Sequence, residues 1–404
     1  MKILLISHFY FPENFRINDL ATGLNDIEGV EITVLTGLPN YPDGKFFTGY
    51  SFFSNRVEYI NGIKVIRARV FPRLNSSKIS LALNFLTFPF FAIFEIFFLK
   101  GPFDKIFVYA PSPLTVAIPG IFAKYKFGVD SFLWVHDLWP ESVQVAGGID
   151  NKYILYFINN WVSYIYKKFD KILVQSYYFI PYLSDRGVQK SKMIYYPYFA
   201  EDLYSEPKFN FDSNLPDGVN IVFAGNIGFA QNLEGVLLAF SRLILDHPNV
   251  NLVVYGSGRN LTNIIRLANE LNLNENVFFK GVLPVDQISN VYFDADALLI
   301  SLKKSEIFSL TIPGKFQSYL ASGKPIIGFI DGVVYDIIKK SDCGLVAHAE
   351  DSNELYDVLV EFVKSSEYDR SLMGKNANDY FNREFSRKKL INRLYNILNG
   401  NDLV

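Results

Sequence analysis

The sequence predicts an α/β protein of two doubly wound domains facing across a cleft. Short apolar runs alternate with helical segments up to about residue 200, the pattern of a parallel sheet with crossover helices. Residues 201–217 are polar and contain Pro207 and Pro216, which is linker composition. A second strand-and-helix series then begins at Asn220. The length of 404 residues suits two domains of ordinary size, and half the residues are hydrophobic, enough for two cores. Ligands of such sheets bind at the edge where the strands end.

In the first half, Lys2–Ser7 reads as a buried strand and Asn18–Leu24 as a helix. Glu31–Thr36 is a strand, followed by the turn-rich stretch Gly37 to Gly44. Val57–Tyr59 and Ile63–Arg69 flank Asn61-Gly62, a hairpin signal. Ile106–Tyr109, Ser131–Val135 and Lys171–Gln175 are further strands. In the second half, Asn220–Ala224, Val250–Tyr255, Val277–Lys280, Ala297–Ser301 and Pro325–Phe329 are strands. Asn232–Asp246 is an amphipathic helix, and the chain closes with a helix over Arg387–Leu398.

Net charge is −2, which argues against a nucleic-acid binder. The charge is uneven. Residues 1–200 hold 20 Lys and Arg against 15 Asp and Glu, and residues 201–404 hold 19 against 26. A basic half rich in Phe and Tyr suggests a face toward an anionic membrane; a solvated surface explains the same counts. Cys343 is the single cysteine, so neither an intramolecular disulfide nor a cysteine metal cluster is expected. His8, His136, His247 and His348 show no metal-ligand spacing. The N-terminal apolar run is too short for a signal peptide, and a cytoplasmic location is expected.

Residues 80–99 (SLALNFLTFPFFAIFEIFFL) approach the length of a membrane span, interrupted by Asn84, Pro89 and Glu95. Three readings stand: a helix partly buried and partly touching lipid, a wholly buried helix, and a true span. Arg67, Arg69, Arg73 and Lys78 lie just upstream, placed to meet headgroups or simply solvated.

Several strand ends carry glycines, which permit positive φ and close backbone approach to a ligand. Gly225 and Gly228 follow one strand, Gly256 and Gly258 another. The stretch Phe308 to Gly328 adds Pro313-Gly314-Lys315 at a helix start, with Gly323 stopping that helix and Pro325 barring its resumption. Free N–H groups at a helix start attract anions, and Lys315 adds a cation there. These features together favour a nucleotide site over ordinary turns. Neither G-x-G-x-x-G nor G-x-x-x-x-G-K-[ST] occurs, against a dinucleotide enzyme and a P-loop ATPase.

In the first half, Trp134 to Ser142 (WVHDLWPES) sets an imidazole, two carboxylates and an indole after a strand. His136 could donate to a substrate hydroxyl or shuttle a proton, and Asp137 could orient the ring or serve as a helix cap. After the first strand, Glu13, Asn14, Arg16 and Asn18 are polar groups at the same sheet edge, and Arg16 could grip a phosphate.

These segments together resemble the retaining, nucleotide-sugar-dependent glycosyltransferases of family 4. The likeness is nearest to bacterial O-antigen and capsule transferases of an N-acetyl-L-fucosamine type sugar. It is carried by residues 11–20 (FPENFRINDL), 35–42 (LTGLPNYP), 136–142 (HDLWPES), 223–228 (FAGNIG) and 313–325 (PGKFQSYLASGKP), and covers nearly the whole chain. The resemblance implies two Rossmann-like domains in the GT-B arrangement. Residues 1–200 would bind the acceptor, 201–217 would link, and 218–380 would bind the nucleotide sugar. Residues 381–404 would return to the first domain as a helix.

The resemblance further implies a donor site of Gly225, Asn226, Gly228, Gln231, Gly256, Gly258, Arg259, Phe279, Gly281, Thr311, Gly314, Gln317 and Ser318. Residues 279–283 would meet the base through backbone. Catalysis would fall to His136, Asp137 and Lys315, and acceptor contacts to Asn14, Arg16, Asn40, Tyr41 and Glu141. The donor would be a UDP-sugar and the acceptor a lipid diphosphate-linked saccharide, with neither cofactor nor metal required. The chain would work at the inner face of the cytoplasmic membrane.

The sequence departs from its relatives in four places. Asn226 and Gln231-Asn232 stand where relatives place an Arg and a Lys for the diphosphate. A buried diphosphate needs compensating charge, and Lys315, Arg259 and Arg16 are the available cations. Ser318 falls where relatives carry a ribose-binding Glu, and Glu306 only lies near the place of its companion. Two other readings remain: a nucleotide-sugar epimerase of the same fold, and a non-catalytic partner in glycan assembly.

Overall fold

The computed structural model describes residues 1–54, 56–74, 78–142, 151–206 and 213–401. Residues 207–212 of the expected linker and the side chain of Lys78 lie outside this set. The chain forms two units. Unit 1 is Met1–Pro197 together with the chain from Lys388 onward, and unit 2 is Tyr198–Arg387.

Unit 1 runs β1 (Lys2–Ser7), α1 (Arg16–Asn25), β2 (Glu31–Gly37), β3 (Val57–Ile60), β4 (Ile63–Ala68), α2 (Lys78–Phe98) and β5 (Lys105–Ala110). It continues with α3 (Ala117–Phe127), β6 (Asp130–Val135), α4 (Lys152–Lys168), β7 (Lys171–Val174), α5 (Phe179–Asp185) and β8 (Met193–Tyr195). Among the described residues the sheet order is β3-β4-β2-β1-β5-β6-β7-β8. Every pairing is parallel except the β3–β4 hairpin. That hairpin turns on Asn61 and Gly62, both at positive φ, as its two-residue loop requires. Ile3, Leu4, Leu5 and Ile6 are wholly buried in succession, because helices cover both faces of a parallel sheet.

Unit 2 runs β9 (Val219–Ala224), α6 (Leu233–Asp246), β10 (Val250–Tyr255), α7 (Leu261–Glu270), β11 (Val277–Gly281), α8 (Val285–Asp294) and β12 (Ala297–Ser301). It continues with α9 (Glu306–Leu310), α10 (Gly314–Ala321), β13 (Ile326–Phe329), α11 (Val333–Ser341), β14 (Gly344–Ala347), α12 (Ser352–Lys364) and α13 (Glu367–Glu384). The parallel sheet has the order β11-β10-β9-β12-β13-β14. Ile221, Phe223, Leu252, Val254, Leu299 and Ile327 from its strands pack with Val236, Phe240, Leu355 and Leu359 from its helices. The strand order reverses at β9, between β10 and β12, which is where open α/β sheets hold ligands.

The unit boundaries differ from the expected ones for packing reasons. The chain joins unit 2 at Tyr198, not after 217. Tyr204 stacks on Tyr292 at 5.8 Å, and the Tyr255 hydroxyl donates to the Ser213 carbonyl at 3.2 Å. Residues 381–387 also stay with unit 2, since they end and follow α13, whose Asn378 donates to the Ala321 carbonyl at 3.1 Å. The last helix, α14 (Arg387–Leu398), belongs to unit 1 from Lys388 on. Leu390, Ile391, Leu394, Ile397 and Leu398 are buried there, and the Tyr196 hydroxyl donates to the Leu390 carbonyl at 3.0 Å.

Helix α2 is not wholly buried, which corrects that reading of residues 80–99. Asn84, Phe88, Ala92 and Ile96 form one fully buried stripe at four-residue spacing. The remaining faces stay open, and about a quarter of its apolar window, 28%, is buried. One upstream arginine is also unavailable to headgroups, and a second is partly covered. Arg67 is fully buried, bonded to Glu58 and to the carbonyls of Gly37 and Phe11. Arg73 lies among the rings of Phe9, Tyr41 and Phe85, each centred 5.0–5.2 Å from its guanidinium carbon.

Candidate active site

In unit 2, the ends of β9, β10 and β11 are tied together by backbone. The Gly225 N–H donates to the Tyr255 carbonyl at 3.0 Å, and the Gly256 N–H to the Gly281 carbonyl at 2.7 Å. The Ile227 N–H reaches the Ser257 carbonyl at 2.8 Å. A Cβ on Gly256, at φ +137°, would stand 1.8 Å from the Gly225 carbonyl oxygen, so glycine is required there. The Asn226 side chain lies between Gly228 and Gly258, 2.9 and 2.7 Å from where their Cβ atoms would be. Gly225, Asn226, Gly228, Gly256, Gly258 and Gly281 therefore form one small-residue floor.

Lys315 stands over this floor. Its Nζ lies 3.0 Å from a Cβ position on Gly225 and 4.0 Å from the centre of the Phe223 ring. The residue is half-buried, yet its Nζ is shut off from solvent and has no hydrogen-bond partner among the described residues. Burial lowers its pKa from 10.5 to about 7. Helix α10 starts one residue before it, with Pro313 at the N-cap and no side chain capping the first turn. A lysine buried without a partner is costly and points to an anion that completes it.

Other expected donor residues lie differently. Gln317 is fully buried, and its amide nitrogen faces the Gly314 and Pro313 carbonyls at 2.9 and 3.1 Å. It serves its own helix's first turn, so its expected place in the donor site is corrected. Ser318 is likewise buried on the core side of α10 and is not open to a ligand. The Thr311 hydroxyl donates to the Ile307 carbonyl at 2.9 Å. Phe279 is half-buried against the core, and Arg259 is exposed on the loop after β10. Gln231 offers its carbonyl to the Ser301 hydroxyl at 2.6 Å. Glu306 is exposed at the start of α9.

In unit 1, His136 follows β6 and is buried against Trp134 and Tyr109, ring centres 4.2 and 4.8 Å away. Burial, reinforced by the nearby Arg16 charge, holds its pKa well below the ordinary value. The shift favours the neutral ring, which can give or accept a hydrogen bond. Burial raises the Asp137 pKa to about 6, against a bond from Ser112. Asp137 therefore pairs with the Ser112 hydroxyl.

The loops after β1 and β2 are joined by Glu13. Its carboxylate accepts the N–H groups of Asn40 and Tyr41 at 2.9 and 2.8 Å and that of Tyr10 at 3.3 Å. Burial raises its pKa to about 7 despite these bonds. Asn40 is corrected as an acceptor contact. It is buried, donates to the Leu38 carbonyl at 2.9 Å and accepts from Asn84 at 3.2 Å. Asn14 is exposed, and Arg16 is half-buried at the first position of α1. Tyr41 presents a partly exposed ring, whereas Glu141 is held by Arg186. Asn18 is buried, bonding the Glu13 carbonyl at 2.7 Å, and α1 begins at Arg16 instead. Among the described residues, no three His, Cys, Asp or Glu side chains converge as a metal site.

Residues 205–379 match the family model described as Glycosyl transferases group 1. N-acetyl-alpha-D-glucosaminyl L-malate synthase of Bacillus anthracis is 23% identical over 173 residues, covering 43% of this chain and 43% of that protein. The chain thus matches less than half the length of that relative. The probable glycosyltransferase WbjE of Pseudomonas aeruginosa is 23% identical over 288 residues, 68% of this chain and 70% of that protein. Anabaena Alr3699/HepE, solved in complex with UDP, superposes with a TM-score of 0.69 at 12% identity over 99% of this chain and 100% of that one. This likeness shows the fold, which is GT-B.

Unit 2 holds a further lysine at this sheet edge that the sequence reading did not single out. Lys303 follows β12, and its N–H donates to the Ala230 carbonyl at 2.8 Å, beside the loop that holds Gln231. It stands at the switch point between β9 and β12. The signal was present as Lys303-Lys304 directly after a buried strand.

Proposed function

We propose that the chain transfers a sugar from a UDP-sugar to a lipid diphosphate-linked saccharide in O-antigen or capsule synthesis. The sugar in this reading is an N-acetylated deoxyhexose such as N-acetyl-L-fucosamine, passed with retention of configuration. The observation that carries the proposal is the buried Lys315 ammonium, without a partner, over the Gly225 floor. In transfer an acceptor hydroxyl oxygen bonds to the sugar's anomeric carbon as the bond from that carbon to the diphosphate breaks; the hydroxyl gives up its proton, and UDP leaves with added negative charge. Lys315, the positive N-terminal end of α10 and the backbone at Asn226 stabilise that charge without a metal. Lys303 and Arg259 supplement it.

Unit 1 receives the acceptor through Asn14, Arg16, Tyr41 and Glu141 in this proposal. His136 serves as a neutral hydrogen-bonding group to a sugar hydroxyl, with Asp137 beside it. The protein works in the cytoplasm, peripheral to the inner face of the membrane. The donor class is supported by the UDP held by the HepE protein of the same fold.

The test is to incubate purified full chain with candidate UDP-sugars and a lipid-linked acceptor, and to weigh the lipid product. The expected result is acceptor mass increased by one sugar, lost in Lys315→Ala. Full turnover by Lys315→Ala overturns the role of Lys315. Interconversion of free UDP-sugars without transfer overturns the reaction in favour of an epimerase. Donor binding with no turnover on any acceptor favours a non-catalytic partner.

A further inference from the structure

We infer that unit 1 meets an anionic bilayer through two helices, α2 and the N-terminal half of α4, which form one aromatic face edged with lysines. This deepens the membrane location proposed above and rests on it, but not on the reaction.

The sequence tied lipid contact to residues 80–99, the cations just upstream and the basic, aromatic first half in general. The structure adds α4. On α2, Leu83, Leu86, Phe90, Phe94, Phe97 and Phe98 are 47–69% exposed, opposite the buried stripe. On α4, Tyr153, Ile154, Tyr156 and Phe157 are 46–74% exposed, and full burial begins only at Val162. Half of α4 thus stands off the core with its large side chains uncovered. Patches this apolar are rare on a freely soluble surface.

The two helices share a layer because α3 packs between them. The Lys126 ammonium donates to the carbonyls of Ile96, Phe97 and Leu99, at 2.7–2.8 Å, and so fastens α3 to the end of α2. On the other side, Lys168 lies 5.8 Å from the Tyr125 ring of α3 and 5.0 Å from the Tyr164 ring of α4.

Charge identifies the occupant. On α2, α3 and α4, Lys124 is paired with Asp170 at 2.7 Å and the one acid, Glu95, with Arg56, which leaves Lys126, Lys152, Lys167 and Lys168 as positive charge, in a chain whose net charge is −2. Aromatic side chains edged by lysines fit the headgroup boundary of an anionic membrane. A second copy is disfavoured, since a two-fold contact through this face would set the same excess of positive charge against itself. The buried stripe runs the length of α2, so the helix lies in the membrane plane and does not cross it.

The experiment is co-sedimentation of the full chain with phosphatidylglycerol or phosphatidylcholine vesicles, at low and high salt. Three variants accompany it: Phe90→Ser with Phe94→Ser, Tyr156→Ser with Phe157→Ser, and Lys152→Glu with Lys167→Glu. Binding to phosphatidylglycerol is expected, weakened by salt, and about tenfold or more weaker in each variant. UDP-induced thermal shifts should be unchanged in all three, which verifies folding. Absence of binding by the parent chain overturns the inference. Parent-like binding by the α4 variant overturns the part of α4. Sedimentation velocity showing a dimer that these variants dissociate overturns it in favour of a second copy. Failure of the transferase reading would appear as lost UDP shifts with vesicle binding intact.

Discussion

The Lys315 ammonium occupies the space that a side chain on Gly225 would need, with 3.0 Å between Nζ and the ideal Cβ position. Each residue therefore depends on the other's shape. Glycine leaves room for the cation, and the cation fills the room above a strand end whose φ of +139° suits glycine. Gly225→Ala should keep the fold, because the crowded neighbour is the end of a flexible chain. The strained backbone should cost about 1–3 kcal/mol. The displaced ammonium should weaken UDP binding, read by calorimetry.

Gly256→Ala should be far more damaging. Its new methyl would meet the Gly225 carbonyl, a backbone atom with no freedom to yield. Loss of more than about 3 kcal/mol is expected, measured by urea unfolding of the full chain. A variant as stable as the parent would contradict the close approach of the two strand ends.

Lys315→Met should separate stability from binding. Removing a buried ammonium without a partner should stabilise unit 2 by about 1–3 kcal/mol, read as a raised melting temperature. UDP affinity should fall about 10- to 100-fold, the worth of a charge-assisted bond. A less stable variant with undiminished UDP binding would remove Lys315 from the donor site.

UDP affinity should also depend on pH. The Lys315 pKa is about 7 before ligand binds, and a diphosphate nearby raises it. Below pH 7 the ammonium is already formed and affinity should be flat with respect to this group. Above pH 7 binding must take up a proton, so affinity should fall by up to about tenfold per unit. Calorimetry in buffers of different ionisation enthalpy checks the uptake near pH 8, and Lys315→Met should abolish it.

Glu13 gives a second pH signature. Its folded pKa is about 7 against an ordinary 4.5, so the folded state binds the proton more tightly. Stability from this group is full below pH 4.5 and declines as pH rises to 7. Glu13→Gln keeps an oxygen for the Asn40 and Tyr41 N–H groups while removing the buried charge. It should match the parent near pH 4.5 and exceed it at pH 8 by up to about 3 kcal/mol. Glu13→Ala, which strands those N–H groups, should lose stability at both.

Much of the fold was legible because parallel strands write themselves as uninterrupted apolar runs, as at Lys2–Ser7 and Val250–Tyr255. The short strands β8 and β14 left too little pattern to register. Gly225, Gly256 and Lys315 were legible because close approach and helix starts demand particular residue types. Gln317 was not, since an amide that could bond a ribose bonds its own helix equally well, and only the fold shows which way it turns. Asn40 and Glu13 meet across 27 residues, a distance at which no local signal operates. Helix α4 was not singled out, because apolar residues in a helix look like core and sequence does not show which of them are left uncovered.

The placement of α14 bears on the order in which the chain is built. Residues 1–197 of unit 1 are made before unit 2, yet Leu390, Leu394 and Ile397, which are buried in unit 1, emerge only after all of unit 2. At ordinary elongation speeds the nascent unit 1 waits roughly 10–40 s with that seam open. Unit 2, whose residues are contiguous, can close first. The earlier-made half is thus the later-finished one, and chaperone demand should centre on it.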